Sequence, residues 1–223
     1  MPAGFQANSK RVAARGDGYL QIIDGDSLLR LACALDLVLE VHPTPGDYLT
    51  RGDPLLHAWP GERVDAALAG RISRCFVVGN QRTSEQDLGF PLAQLVEMAL
   101  RAMSPGINDP ITAISCVDRI GSALTRLIQL DCPSRCLRDT HRRLRVWRAD
   151  LSFPVVLDSA LDPLREVARP NTALTLRLMA VLTLIALAVV LAVGGELGDV
   201  VADLSGGRDR LDGGVVSARC GGS

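Results

Sequence analysis

The sequence has almost no lysine, few aromatic residues and none of the short motifs that name an enzyme class. Lys10 is the single lysine, so the basic side chains are nearly all arginine. Aromatic residues make up 4% and the net charge is −1. That leaves little to stack on bases and no broad field to gather a polyanion, so nucleic acid is not expected as a partner. There is no GxGxxG, P-loop, HExxH or GxSxG pattern, and no familiar catalytic chemistry is announced. The opening residues MPAGFQANSKRVAARGDG lack the apolar core of a signal peptide. The six cysteines are scattered among apolar neighbours, unlike the framework of a small secreted domain, which points to a reducing compartment.

What is present is apolar. Of 223 residues 48% are hydrophobic, with a mean hydropathy of +0.20, high for a soluble chain and a hint of a membrane segment. Residues 1–17 are small and polar and read as a flexible lead-in. Residues 18–80 read as a β-rich unit with one helix. Strands are expected at Tyr19 to Ile23, Leu37 to Val41, Tyr48-Leu49, Leu55 to Ala58 and Arg71 to Val78, and a helix at Leu28 to Leu35 behind an Asp26-Ser27 cap. The run PGDYLTRGDPLL places glycine turns between very short strands, a pattern similar to the hairpins of barrel-sandwich folds. No lysine lies near it to carry lipoyl or biotin, so a tight structural β-unit is the plainer reading.

From Ser84 the apolar period becomes helical, and residues 81–172 read as mainly helical. Leu92, Leu95, Val96, Ala99 and Met103 share one face, with Ser84 as cap. Pro105-Gly106 stops that helix, and Asp109-Pro110 starts the next, whose buried face is Ile111, Ile114, Val117, Ile120, Leu124 and Leu127. A short strand is expected at Leu144 to Val146, and a helix at Val155 to Arg169 kinked or shortened by Pro163. Residues 173–195 are expected as a hydrophobic helix. Leu178 to Gly195 is 18 residues without a charge, at the lower edge of the roughly 20 residues a bilayer span needs. Either it contacts the membrane or it is buried in a core or interface. If it spans, the arginines ahead of it (Arg165, Arg169, Arg177) place the folded part in the cytoplasm. Residues 196–223 are Gly-rich and expected to be disordered.

The run RTSEQDLGFPLAQLVEMALRAMSPGINDPITAISCVDRIG, with GYLQIIDGDSLLRLA and PGDYLTRGDPLLHAWP upstream, resembles the soluble region of the bacterial predicted membrane proteins called domain of unknown function 2254. The resemblance covers about Gly18 to Met179. It implies membrane association and little about chemistry; members of that family usually carry several transmembrane helices ahead of this region.

The residues that offer a site are Arg82, Gln86, Asp87, Gln94, Glu97, Arg101, Ser104, Asn108, Asp109 and Asp118. Gln94, Glu97 and Arg101 fall within about 60° on one helix face, running down to the SPGINDP turn. There Asn108, Asp109 and the first amides of the next helix offer to converge on a small polar ligand, or Glu97, Asp109 and Asp118 on a hard cation. The bland alternative is a solvated face with a surface ion pair and an ordinary cap. No metal centre or cofactor is named: Cys132-x3-Cys136-x4-His141 lacks a fourth ligand for zinc, and its arginine-rich loop favours a reactive thiol instead. His42 and His57 read as isolated turn or surface residues. The cluster Arg138, Arg142, Arg143, Arg145 and Arg148 reads as a basic patch suited to lipid headgroups.

The expectation is thus an α+β protein: a small β-rich unit, a helical hairpin and a C-terminal hydrophobic helix. Its role would be that of a non-enzymatic, cytoplasmic, membrane-associated domain serving assembly or ligand sensing, with homo-oligomerisation left open. The alternatives are a metal-assisted enzyme using Glu97 or Asp109 as base, and a truncated remnant without independent function.

Overall fold

The computed structural model describes residues 2, 4–130, 136–148 and 153–206, with side chains as far as Ala192. It is a mixed α+β architecture with two separate hydrophobic cores, one under the sheets and one inside a helical bundle.

The first unit opens with a short helix α1 (Phe5–Asn8) and strand β1 (Lys10–Ala13). It continues with β2 (Gly18–Ile23), α2 (Gly25–Ala34), β3 (Val38–Val41), β4 (Tyr48–Leu49), β5 (Pro54–Trp59), α3 (Ala66–Ser73) and β6 (Phe76–Gly79). Aspartates start both longer helices. Asp24 accepts from the Ser27 amide at 2.9 Å and Asp65 from the Leu68 amide at 2.7 Å, each satisfying an otherwise orphaned N–H. Two turns of one design frame β4. In Thr44-Pro-Gly-Asp47 and Thr50-Arg-Gly-Asp53 the aspartate carboxylate accepts from the threonine amide at 2.7 Å, and Gly46 and Gly52 take φ near +100°. That φ at the third position is what a type II turn requires.

Beyond this, α4 (Gly89–Ala102) and α5 (Pro110–Gln129) form the hairpin read from the sequence. Asp109 caps α5, accepting from the Ile111 and Thr112 amides at 3.1 Å, with Pro110 at the first helical position. Strands β7 (Cys136–Arg138) and β8 (Leu144–Arg148) then return to the first unit. The five-stranded sheet therefore runs β1-β5-β3-β8-β7, with β3 and β8 parallel, and a smaller sheet runs β4-β2-β6. Finally α6 (Phe153–Ala168) and α7 (Thr172–Gly206) pack with α4 and α5. α5 lies between α4 and α7, and α6 closes the square against α4 and α7. Leu124, Leu164 and Leu174 are fully enclosed there, each contributing about 2 kcal/mol of transfer free energy.

Several local expectations need correcting. The lead-in is structured in part: β1 pairs with β5, and Phe5 is buried. Arg71 to Val78 is the end of α3 followed by β6, because Asp65 caps a helix that consumes Ile72 before the chain turns into the strand. Asp24, one residue outside α2, is its cap, where Asp26-Ser27 was expected. α4 begins at Gly89, so Ser84 lies outside it in a turn. Pro163 sits inside α6 without ending it. The apolar helix starts at Thr172 and runs to Gly206, longer at both ends than Leu178 to Gly195. The rest of the Gly-rich tail, and Cys132, lie outside the described residues.

Candidate functional site

The expected polar set divides into four separate roles. Arg82, Gln86 and Asp87 form a latch between the units. Asp87 is buried at 5% exposure, and Arg82 donates to it through Nε at 2.8 Å and pairs through Nη2 at 2.6 Å. The other Asp87 oxygen accepts from the Phe90 amide at 3.0 Å, anchoring the start of α4. The Arg82 guanidinium lies 5.1 Å from the Phe90 ring centre, a cation–π distance. Gln86 clamps the Ile23 backbone from both sides, accepting from its N–H at 2.9 Å and donating to its carbonyl at 3.3 Å. This latch closes because residue 46 is glycine: a Cβ there would lie 2.7 Å from Asp87 Cγ.

Gln94, Glu97 and Arg101 are exposed on α4, with Glu97 and Arg101 paired at 2.5 Å and both about two-thirds exposed, a pair worth a few tenths of a kcal/mol. At the turn, the Ser104 carbonyl accepts from the Asn108 amide at 2.9 Å, and Asn108 adopts φ +45°. Asp109 is committed to its cap. The Thr112 hydroxyl, the Thr112 amide and the Ile111 amide hold its carboxyl below the ordinary value. Asp118 pairs with Arg177 of α7. Glu97, Asp109 and Asp118 are thus not brought together as one cation-sized group. The basic cluster is partly internal: Arg145 is buried and bridges Asp139 at 2.9 Å and Asp36 at 2.7 Å.

Among the described residues, the side chains that do converge with metal-ligand chemistry are Glu40, His42 and His57, whose ligating atoms all lie within 4.8 Å of one another. Glu40 and the residue two on, His42, emerge on the same side of one strand. Glu40 stands directly across from His57 on β5, and the His42 amide continues the ladder by donating to the Leu55 carbonyl at 3.1 Å. His42 Nε2 and His57 Nδ1 are 2.6 Å apart, with the rings nearly perpendicular. Glu40 Oε2 is 4.0 Å from His42 Nε2 and is buried with no hydrogen-bond partner. Burial, with His57 beside it, pushes the His42 imidazole down from its ordinary value, against the opposing pull of Glu40. The register extends this row across the sheet: Arg11 stands beside His57, and Trp147 and then Cys136 stand beyond Glu40. The opposite face, with Leu39, Val41, Leu56 and Ala58, is core. Reading His42 and His57 as isolated was wrong. The available signal was the Glu-x-His alternation leading into a hairpin whose returning strand carries a second histidine.

The C-terminal helix is the other unusual feature. One face of α7, Leu174, Leu178, Val181 and Ile185, is buried against the bundle. Gly121 of α5 permits the approach: a Cβ there would lie 2.6 Å from Val181 Cγ1. The opposite face, Leu176, Met179, Leu184, Leu187, Val190 and Leu191, is more than half exposed. Thr172–Ala192 is long and apolar enough to cross a membrane, yet 28% of its apolar stretch is buried within the molecule.

No solved structure matches this chain. An uncharacterized protein of Mycobacterium bovis and one of Mycobacterium tuberculosis are each 33% identical over 189 residues, covering 83% of this chain and 36% of theirs. The chain therefore spans little more than a third of the length of these curated relatives. The family model described as "Predicted membrane protein (DUF2254)" matches residues 2–184, a range that takes in the Arg82–Asp87 latch, the SPGINDP hairpin and the first part of α7, and the chain belongs to that family.

Proposed function

We propose that this chain is a non-enzymatic assembly module that sits on the cytoplasmic face of the membrane, with the outer side of α7 in contact with the bilayer. The observation that carries the reading is that residues 178–192 of α7 are apolar on all sides but covered on only one. A helix apolar all round is at home in a core or in a membrane. Six large apolar side chains facing water on adjacent turns exceed what a monomeric surface ordinarily leaves open.

Contact from the side is favoured over a simple span. While Leu174 to Ile185 is docked on α5, only about ten residues remain before Glu196, some 15 Å of helix against a hydrocarbon core of about 30 Å. Continuing to Gly206 would immerse Glu196, Asp199 and Asp203, each costing roughly 2.5–3.5 kcal/mol at mid-bilayer. Immersing the docked half would drag in Asp118 and Arg119 of α5 as well. Arg165 and Arg169 near the start of α7 are about two-thirds exposed in ion pairs with Asp162 and Glu166, surface pairs weak enough to exchange for anionic headgroups of the cytoplasmic leaflet. Glu97 and Asp109 are tied to Arg101 and to the α5 cap on an open surface. They lack the enclosed setting that tunes a general base, which supports a non-enzymatic role.

Flotation of the full chain with phospholipid vesicles tests this. The wild type should rise with the vesicles, and Leu184→Glu/Leu191→Glu, which spares the docked face, should stay behind. A wild-type chain that remains monomeric and unbound would refute the reading.

A further inference from the structure

We propose that Glu40, His42 and His57 bind a divalent transition-metal ion of the zinc class through two imidazole nitrogens and one carboxylate oxygen, leaving a coordination position facing solvent. The proposal is independent of the membrane reading, since the cluster lies in the sheet of the first unit and α7 belongs to the bundle.

The donor set is the first argument. Two imidazoles with one carboxylate suit zinc, iron, cobalt or nickel. Magnesium and calcium prefer all-oxygen shells, and cuprous copper prefers sulfur. Geometry is the second. Around a tetrahedral ion with bonds of about 2.0–2.1 Å, donor atoms sit roughly 3.3 Å apart. Here the nitrogens are 2.6 Å apart, and Glu40 Oε2 is 4.0 Å from the nearer one. Opening the first distance and closing the second by about 0.7 Å each brings these two pairs to that value, and the third pair, His57 with Glu40, already within 4.8 Å, closes with them by side-chain rotation while the strand register holds the Cα positions fixed.

The third argument is the orphaned oxygen. A bare histidine pair is a sufficient account of the 2.6 Å contact, because one shared proton joins the two nitrogens. It is not an account of Glu40, whose Oε2 is enclosed without a donor. Leaving a buried acceptor unpaired is costly, more so for a charged one. A cation between the three groups satisfies all of them at once, replacing the shared proton and neutralising the carboxylate. His42, whose side chain is 35% exposed, leaves a route for water or a ligand to the remaining position.

The test uses the full chain stripped by chelator and titrated with Zn2+ and Co2+. One equivalent of zinc should bind and raise the melting temperature. Cobalt should give visible absorption of tetrahedral intensity without the near-ultraviolet sulfur charge-transfer band. His57→Ala should abolish binding, and the isosteric Glu40→Gln should weaken it more than tenfold. Any of three results overturns the proposal: no ion among zinc, cobalt, nickel and manganese shifts the melt; binding survives His57→Ala; or the cobalt complex shows thiolate bands. If His57→Ala fails to fold, the wild-type cobalt spectrum and Glu40→Gln decide the matter, unchanged affinity in Glu40→Gln being a refutation.

Discussion

Replacing Gly46 with alanine should reveal the latch through its coupling to Asp87. Two penalties are built in. Gly46 has φ +101°, where an L-residue with a Cβ costs about 1–2 kcal/mol. The new Cβ would also press on the Asp87 carboxyl, 2.7 Å from Cγ and 3.1 Å from Arg82 Nη2. Forcing a group into so packed a space costs roughly 1–3 kcal/mol. The single variant should therefore lose about 3 kcal/mol. Asp87→Ala removes a buried carboxylate that serves Arg82 and the Phe90 amide, and about 2–3 kcal/mol is expected, below the fully buried range because Arg82 is one-third exposed. In the Asp87→Ala background the clash is gone and only the φ penalty remains, so Gly46→Ala should then cost about 1–2 kcal/mol. The double variant would thus be more stable than the sum predicts by about 1–3 kcal/mol. Urea denaturation of the four proteins, read by midpoint with slopes checked for constancy, measures this. Equal cost of Gly46→Ala in both backgrounds would show that the turn and the carboxylate do not meet, and the account of why residue 46 is glycine would fall.

Two further outcomes follow from the sheet. Arg145→Gln should lower the melting temperature by about 5 °C, since it takes the guanidinium from the enclosed Asp139 and leaves Asp36 with Arg63 alone; thermal denaturation at pH 7 measures it, and an unchanged melt would place Arg145 outside the fold's framework. The same variant should blunt acid sensitivity. Asp36 is held low by the Arg145 and then the Arg63 guanidinium. Asp139 is raised by burial but brought below its ordinary value by the Arg143 amide, Arg145 and the His141 amide. Groups with depressed folded values add stability that is fully present above about pH 3.8 and is lost as pH falls through the folded values. Melts from pH 6 down to pH 2 should accordingly converge for wild type and Arg145→Gln.

How much of this was legible follows from which contacts are local. The α4–α5 hairpin was readable because Asp109-Pro110 starts a helix by short-range chemistry and the apolar spacing after it has one period. β1 was missed because Lys10-Arg11-Val12-Ala13 buries one side chain, Val12, and pairs only with β5, more than forty residues on. The end of α3 was mistaken for part of a strand because Cys75, Phe76, Val77 and Val78 make a continuous apolar run with Ile72 just ahead of it, while the Asp65 cap that starts the helix lies outside that run. The site shows the same limit. Asp87 and Arg82 were singled out as polar and close in sequence, but the partner that defines them, Gly46, is forty residues upstream. Glu40, His42 and His57 depend on the register between β3 and β5 with β4 intervening. A one-residue slip of that register would send His57 to the core face.

The docking of α7 lends itself to a sharper test, because the helix has two alternative uses for its buried face. Gly121→Ala places a methyl where Val181 now sits, 2.6 Å from Val181 Cγ1. α5 and α7 must then separate at their closest point, and about 2 kcal/mol of docking should be lost. Val181→Ala in the same chain should restore part of it by making room. If membrane contact is made by the outer face of a docked α7, as proposed, Gly121→Ala lowers the melt but leaves vesicle partitioning unchanged, since Leu184, Leu187 and Leu191 are still presented. If instead α7 must leave the bundle and insert, undocking and insertion are linked, and the lost docking energy returns as affinity: about 2 kcal/mol is roughly a thirtyfold rise in the partition coefficient. Flotation of the two variants beside wild type reads that ratio directly. A thirtyfold gain reversed by Val181→Ala would replace surface contact with insertion as the way this helix meets the bilayer.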